Sequence, residues 1–218
     1  MSDRPSMALD EMERDALTEL VNIGVSRAAA NLRTMINQEV LLSVPRVALS
    51  MRSEAAEMIG EHAGTQLVAV RQTFEGDIHG RAILIFPEAN SLELVRAVTG
   101  GYLAAEDILA LEQEALAETG NVILNSCLSS IANMLHRSVR MSLPEILHGN
   151  VADLFHQPPV SGSEDMLLLI YINFAVNARE IRGYIAMVMD LPVLRVLKQL
   201  LNTLIRQAEL TPKRHAQR

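Results

Sequence analysis

The sequence predicts an α+β fold, a pseudo-two-fold tandem repeat forming one mostly antiparallel six-stranded sheet with long motif-bearing helices packed on it. Three observations carry this. Glu19, Asn22 and Pro45 recur as Glu118, Asn121 and Pro144, each 99 residues further on, and self-similarity at a fixed period means one structural unit used again. Each half reads in the same order: long helix, strand, two-strand hairpin, helix. No linker rich in Pro, Gly and Ser divides the halves, so residues 1–218 are expected to form a single domain of two repeats, about 12–101 and 108–208, with 209–218 as a flexible tail.

In the first repeat, Leu17, Leu20, Val21, Gly24, Val25, Ala28 and Leu32 recur at spacings of three and four and predict a helix over about 12–36. Residues 39–51 change to short β-branched and apolar runs broken by Pro45, which suits a strand followed by a bend. Residues 66–74 and 79–86 read as strands joined by Glu75-Gly76-Asp77, where glycine supplies the positive φ of a tight turn. Pro87 opens a helix through Leu92, Leu94, Val95 and Val98, with Gly100-Gly101 as its stop.

The second repeat runs as a helix over about 108–136, an extended segment through Pro144, strands over 165–175 and 181–189, and a helix over 192–208. Gly80 and Gly183 fall early in equivalent strands, and Pro87 and Pro192 open equivalent last helices. Residues 147–162, with Pro158-Pro159, read as an irregular insert carrying at most a short helix. Apolar runs such as Ala82 to Phe86 and Met166 to Ile172 predict strands covered on both faces.

Composition removes whole classes of function. A net charge of −7 is the wrong sign for a phosphate-neutralising surface, which sets nucleic acid aside. The longest apolar run is far short of the roughly 20 residues that cross a bilayer, and the first residues lack a signal-peptide pattern, so the expected location is the cytoplasm without membrane insertion. The single cysteine, Cys127, lies among Leu124, Leu128 and Ile131 at helical spacing and reads as a buried small residue. The six histidines are scattered without ligand spacing, and no Gly-rich phosphate loop is present.

What remains is a polar line on each long helix. Asp15, Glu19, Asn22 and Ser26 form one row, and Glu114, Glu118, Asn121 and Asn125 the other, each member 99 residues beyond its counterpart. An amphipathic helix needs a polar side in any case, but asparagine is a mediocre helix former, about half a kcal/mol worse than Ala, Glu or Lys. Folding alone gives no reason to choose it at both Asn22 and Asn121. Neither residue is a nucleophile, and no His or Cys stands near to complete a relay. One carboxylate and one amide per helix are too few ligands for a metal cage. A carboxamide can hold a water in a line of attack and a carboxylate can pair with a partner's cation, so the pair suits completing another protein's active site.

These residues resemble a known signature. Asp15, three residues, Glu19, two residues, Asn22, twenty-two residues and Pro45 match the pattern of the CheC/CheX/FliY phosphatases of bacterial chemotaxis. The second copy keeps Glu118, Asn121 and Pro144 but has Glu114 where Asp or Ser is usual, which leaves equal activity of the two sites open. The resemblance implies a phosphatase acting on the phosphoaspartate of a receiver-domain protein such as CheY. Glu19 or Glu118 would pair with the receiver's lysine, and Asn22 or Asn121 would orient the attacking water. It implies no cofactor of the chain's own; Mg2+ would be supplied by the receiver. Members of the CheC branch bind CheD, though no residues here mark such a surface. The alternative is a non-catalytic receiver-binding adaptor or flagellar-switch module using the same faces; related switch modules lack the Glu-Asn pairs. Because neither asparagine reads as core, Asn22→Ala and Asn121→Ala are expected to leave folding almost untouched.

Overall fold

Two long helices set the frame. The computed structural model describes residues 9–37, 39–42, 46–63, 66–98, 105–155, 166–176, 179–189 and 191–210. Helix α1 (Glu11–Ile36) starts at Asp10, whose carboxylate accepts from the Glu13 amide at 2.8 Å while Glu13 accepts from the Asp10 amide at 3.0 Å. This capping box closes two of the amides that a helix start leaves open. Asn37 ends α1 in the left-handed region, with φ +50°. Helix α4 (Ala105–Met134) is followed by His136 at φ +54°, 99 residues beyond Asn37. The repeat is therefore kept down to the helix cap.

The two helices lie antiparallel. Asn31 donates to Ser126 Oγ at 2.7 Å and Arg27 to Ser130 Oγ at 3.4 Å, and moving either pair by 99 residues generates the other. A side chain at Gly24 would put its Cβ 2.8 Å from the Cys127 carbonyl oxygen, so glycine allows the backbones this approach. Cys127 is fully buried there, and burial pushes its thiol up to about 12, which leaves it unreactive.

Between the helices the chain builds β1 (Val40–Leu42), β2 (Arg46–Met51), α2 (Arg52–Ala63), the hairpin β3 (Leu67–Gly76) and β4 (Gly80–Pro87), and α3 (Glu88–Val98). After α4 come β5 (Val139–Met141), β6 (Glu145–Gly149), α5 (Val151–Phe155), the hairpin β7 (Met166–Val176) and β8 (Arg179–Val188), and α6 (Leu191–Leu210). The sheet runs β1-β7-β8-β4-β3-β5, with β2 beside β1 on β7 and β6 beside β5 on β3. Eight strands thus fill six lanes, and every described pairing is antiparallel. The broken outer strand of each repeat pairs with the hairpin of the other. Arg46 faces Tyr171 and Met51 faces Met166 on one edge; Leu67 faces Gly149 and Gly76 faces Val139 on the other. Gly76, at φ +142°, makes the first hairpin turn, and an added Cβ would stand 2.2 Å from the Ser138 carbonyl.

Strand alternation sorts the core into two layers. Val68, Val70, Phe74, Leu84, Phe86, Ile185 and Met187 face α1, α3, α4 and α6, with Leu17, Leu20, Val21, Val25, Leu124, Leu128, Leu194 and Leu201 packed against them. Leu67, Ala69, Ile83, Ile85, Leu169, Tyr184 and Ala186 face the opposite way, under Ala55 and Ile59 of α2 and Val151 and Leu154 of α5. The expectation of strands covered on both faces holds.

The sequence reading missed α2, because Ala55 and Ile59 are the fully buried apolar residues among its described side chains and two anchors make no visible stripe. Its start is set by Glu54, which accepts from the Met51 amide at 3.0 Å. The supposed insert over 147–162 is corrected in part: 147–149 complete β6 in register with Val68 and Ala69 of β3, and α5 follows. Gly183 sits mid-strand rather than early. Pro45, Gly100-Gly101, Pro158-Pro159 and the tail from 211 lie outside the described residues.

Glu13 has a second task. It is 1 % exposed, and its carboxylate accepts from Asn202 of α6 at 2.7 Å and pairs with Lys198 at 3.0 Å. Burial alone would raise its carboxyl, but the Asp10 amide, Lys198 and Asn202 together hold it below its ordinary value. A folded-state value below the unfolded one adds stability above the ordinary glutamate range, and that stability is lost as pH falls through the folded value. Glu13→Gln should therefore lower the unfolding free energy at pH 7 by about 1.5–3 kcal/mol. In urea titrations the gap from wild type should shrink as the pH drops below about 4.

Candidate functional site

The two polar rows do not sit alike on their helices. On α1, Asp15, Glu19 and Ser26 are exposed and Asn22 is half-buried. On α4, Glu114 and Glu118 are exposed while Asn121 and Asn125 are half-buried. In both copies the carboxylate stands out to solvent and the asparagine lies one turn further on, at the edge of the packed face. The antiparallel pairing sets Asn22 opposite about residue 132 of α4, so the asparagines lie about 16 Å apart along the helix axes at ~1.5 Å per residue.

Below Asn121 the sheet supplies a partner. Gln72 lies on β3 in the inward stripe Val68, Val70, Gln72, Phe74, and it is 1 % exposed. Its Nε2 donates to Asn121 Oδ1 at 3.0 Å and to the Ser142 carbonyl at 2.7 Å. Asn125 Nδ2 donates to the same Asn121 Oδ1. The Gln72 Oε1 is buried and has no hydrogen-bond partner.

Gly120 makes this contact possible. A Cβ there would stand 2.5 Å from Cγ1 of Val70, so at this point α4 rests directly on β3. With the helix this low, the next residue on α4 reaches the polar residue two places along the strand. Ser142 is held in turn, its amide donating to the Thr73 carbonyl at 2.8 Å and its Oγ accepting from the Thr73 amide at 3.0 Å. Pro144 follows two residues later at the break between β5 and β6. The strand break that carries the motif proline is thus brought back to the motif asparagine through one buried glutamine.

The α1 copy lacks these parts. The positions 99 residues from Gly120 and Asn125 are Val21 and Ser26, and the pairing registers of β3 and β7 put Ile172, 100 residues on, at the place of Gln72. Asn22 makes no hydrogen bond to another described residue. No cluster of three or more His, Cys, Asp and Glu side chains is placed to hold a metal among the described residues.

Residues 12–49, which hold Glu19, Asn22 and Pro45, match the sequence profile of the CheC-like family. The chain resembles the CheC-like family. It is 23% identical over 199 residues to the flagellar motor switch phosphatase FliY of Bacillus subtilis, covering 90% of this chain and 50% of that protein. It is 26% identical over 141 residues to the CheY-P phosphatase CheC of the same organism, covering 63% of this chain and 67% of that one. The chain therefore spans about half the length of the FliY relative. In structure it is similar to FliY of Thermotoga maritima, at a TM-score of 0.70 and 16% identity over 90% of this chain and 98% of the other. It is also similar to the CheX–CheY–BeF3–Mg2+ complex from Borrelia burgdorferi, at a TM-score of 0.51 and 16% identity over 78% and 97%. The α+β fold with its antiparallel sheet is shared with these CheC-like relatives. No helix among the described residues is long and apolar enough to cross a membrane.

Gln72, Gly120 and Ser142 were not singled out in the sequence. The available signal was the alternation of 66–74, which puts one amide in line with Val68, Val70 and Phe74. The equal tolerance expected of the two asparagines is also corrected. Asn22→Ala removes no internal bond and should change stability by no more than about 0.5 kcal/mol. Asn121→Ala strips a partner from a buried amide and should cost about 1–3 kcal/mol. Chemical denaturation of the two single variants checks the difference.

Proposed function

We propose that the chain is a phosphatase that hydrolyses the phosphoaspartate of a CheY-like receiver domain, working in the cytoplasm and folding as one two-repeat domain. The observation that carries this reading is the pair of solvent-facing Glu-Asn faces, 99 residues apart, on two helices of a fold shared with FliY. A relative named as a CheY-P phosphatase and another named as a flagellar motor switch phosphatase support it, and so does a structural neighbour solved with CheY bound.

The chemistry follows from what the side chains can do. Exposed Glu19 or Glu118 pairs with the lysine of the receiver's active site and so fixes the docking register. The neighbouring asparagine enters the pocket and holds a water in line with the phosphorus. The water oxygen attacks as the bond from phosphorus to the aspartyl oxygen breaks, leaving the aspartate carboxylate and inorganic phosphate. The water's proton passes to a phosphate oxygen. Mg2+ held by the receiver offsets charge on the phosphoryl oxygens. Transfer of this kind depends on positioning and electrostatics more than on a protein nucleophile, so one placed amide is enough to accelerate it.

The test is phosphate release from a magnesium-loaded, phosphorylated CheY-type receiver. Wild-type protein should accelerate it, and Asn22→Ala/Asn121→Ala should reduce that acceleration by about a hundredfold or more while remaining folded by circular dichroism. Acceleration that survives the double change would sink the reading. Binding of the phosphorylated receiver without acceleration would assign the adaptor function instead.

A further inference from the structure

We infer that Gln72 is a positioning residue that holds the Asn121 carboxamide with its oxygen turned inward, so that Asn22 does the hydrolytic work and the α4 face binds a phosphoryl group without hydrolysing it. The inference rests on the phosphatase reading above and divides its two faces.

The orientation of Asn121 follows from a chain of fixed groups. The Ser142 carbonyl can only accept, so the Gln72 amide that meets it at 2.7 Å must present Nε2. The other proton of that NH2 is directed to Asn121 at 3.0 Å, so Asn121 must present Oδ1. Asn125 supplies a second donor to the same oxygen. Both lone pairs of Oδ1 are then filled and Nδ2 is the free end. Turning Asn121 over would set its NH2 against two other NH2 groups. Turning Gln72 with it would set Oε1 against the Ser142 carbonyl. Gln72 is 1 % exposed, so no water stands ready to take over a lost bond. The partnerless Oε1 fits the same picture, because the amide is placed for what its nitrogen donates.

A water attacking phosphorus must keep a lone pair aimed at it, which requires the orienting group to accept the water's proton. An oxygen with both lone pairs engaged cannot do so, and an NH2 would draw the water's lone pair away from phosphorus. The outward Nδ2 of Asn121 is instead suited to donate to a phosphoryl oxygen. Asn22 has no such clamp: it bonds to no other described residue, Val21 and Ser26 stand 99 residues from Gly120 and Asn125, and the pairing registers of β3 and β7 put Ile172 at the position equivalent to Gln72. Its amide is free to offer oxygen to a water and NH2 to phosphate at once.

The experiment compares single-turnover phosphate release from the same magnesium-loaded phosphorylated receiver, at saturating chain, for wild type, Asn22→Ala, Asn121→Ala and Asn22→Ala/Gln72→Glu. Asn22→Ala should lower the rate more than about tenfold and Asn121→Ala by less than about twofold. A carboxylic acid at position 72, kept neutral by burial, donates its O–H to the Ser142 carbonyl and offers Asn121 a lone pair. With half-buried Asn125 turning its own amide to match, the Asn121 amide reverses, so Asn22→Ala/Gln72→Glu should recover at least about fivefold over Asn22→Ala. A merely structural Gln72 could not yield that gain. Equal losses for the two single variants, or a folded and receiver-binding double variant no faster than Asn22→Ala, would overturn the assignment. If the double variant does not fold, side-chain amide exchange in wild type decides: slow exchange at Gln72 with fast exchange at Asn121 is expected, and the reverse order refutes the clamp. A wild type that does not accelerate release at all removes the phosphatase reading itself, a result distinct from every variant outcome.

Discussion

The exchange of outer strands between the repeats is the constraint on which the rest depends. Neither hairpin is covered by its own repeat: β1 and β2 pair with β7, and β5 and β6 pair with β3. Without the exchange each hairpin would present a long apolar edge. Each long helix runs directly into one of these exchanged strands, so the exchange also sets where α1 and α4 lie over the sheet. For α4 the consequence is local and chemical. Asn121 belongs to the second repeat and Gln72 to the first, and they meet because β5 brings the end of α4 back onto β3. The clamp is a contact between repeats.

Along β3, that contact is where the stripe facing the helices departs from apolar character. Along β3 the residues facing α4 are Val68, Val70, Gln72 and Phe74. A leucine in place of Gln72 would satisfy packing and leave no buried carbonyl without a partner. The native residue instead keeps Oε1 unbonded, a burden of about 1–3 kcal/mol for a buried polar atom. The Asn121 and Ser142 bonds offset part of it, and they do so only while both acceptors keep their present orientation. Burial at this point stabilises a particular amide geometry as well as the fold.

Most of the fold was legible because it rests on signals local to the chain. The 3.6-residue stripe of α1, the alternation of β3 and β4 and the turn at Gly76 follow from short-range patterning, and the repeat carried each reading to the second half, at an offset of 99 for the long helices. The offset holds even for the caps, Asn37 and His136. What escaped was short or tertiary. Helix α2 is anchored by Ala55 and Ile59 against a layer whose other members come from β3, β4, β7, β8 and α5, and no window of the sequence contains them together. The candidate site divided the same way. Glu19, Asn22, Glu118 and Asn121 could be picked out by spacing on one helix. Gln72 could not, since it is separated from Asn121 by 49 residues and acts through a strand and a strand break.

The repeat also shows why identity of motif does not make two sites equivalent. Glu-x-x-Asn is kept on both helices, so a comparison confined to the helices finds two equal faces. The differences lie at the adjoining positions: Gly120 against Val21 sets helix height, Gln72 stands on the strand where the register of the other repeat has Ile172, and Asn125 against Ser26 sets whether a second donor is in reach. Each change alone would do little. A glycine over an apolar strand would lower the helix onto nothing that bonds, and a glutamine under a raised helix would not reach. Only together do they turn a free carboxamide into one with a fixed direction, and direction decides whether an amide can hold a water by its protons or only a phosphate by its oxygens.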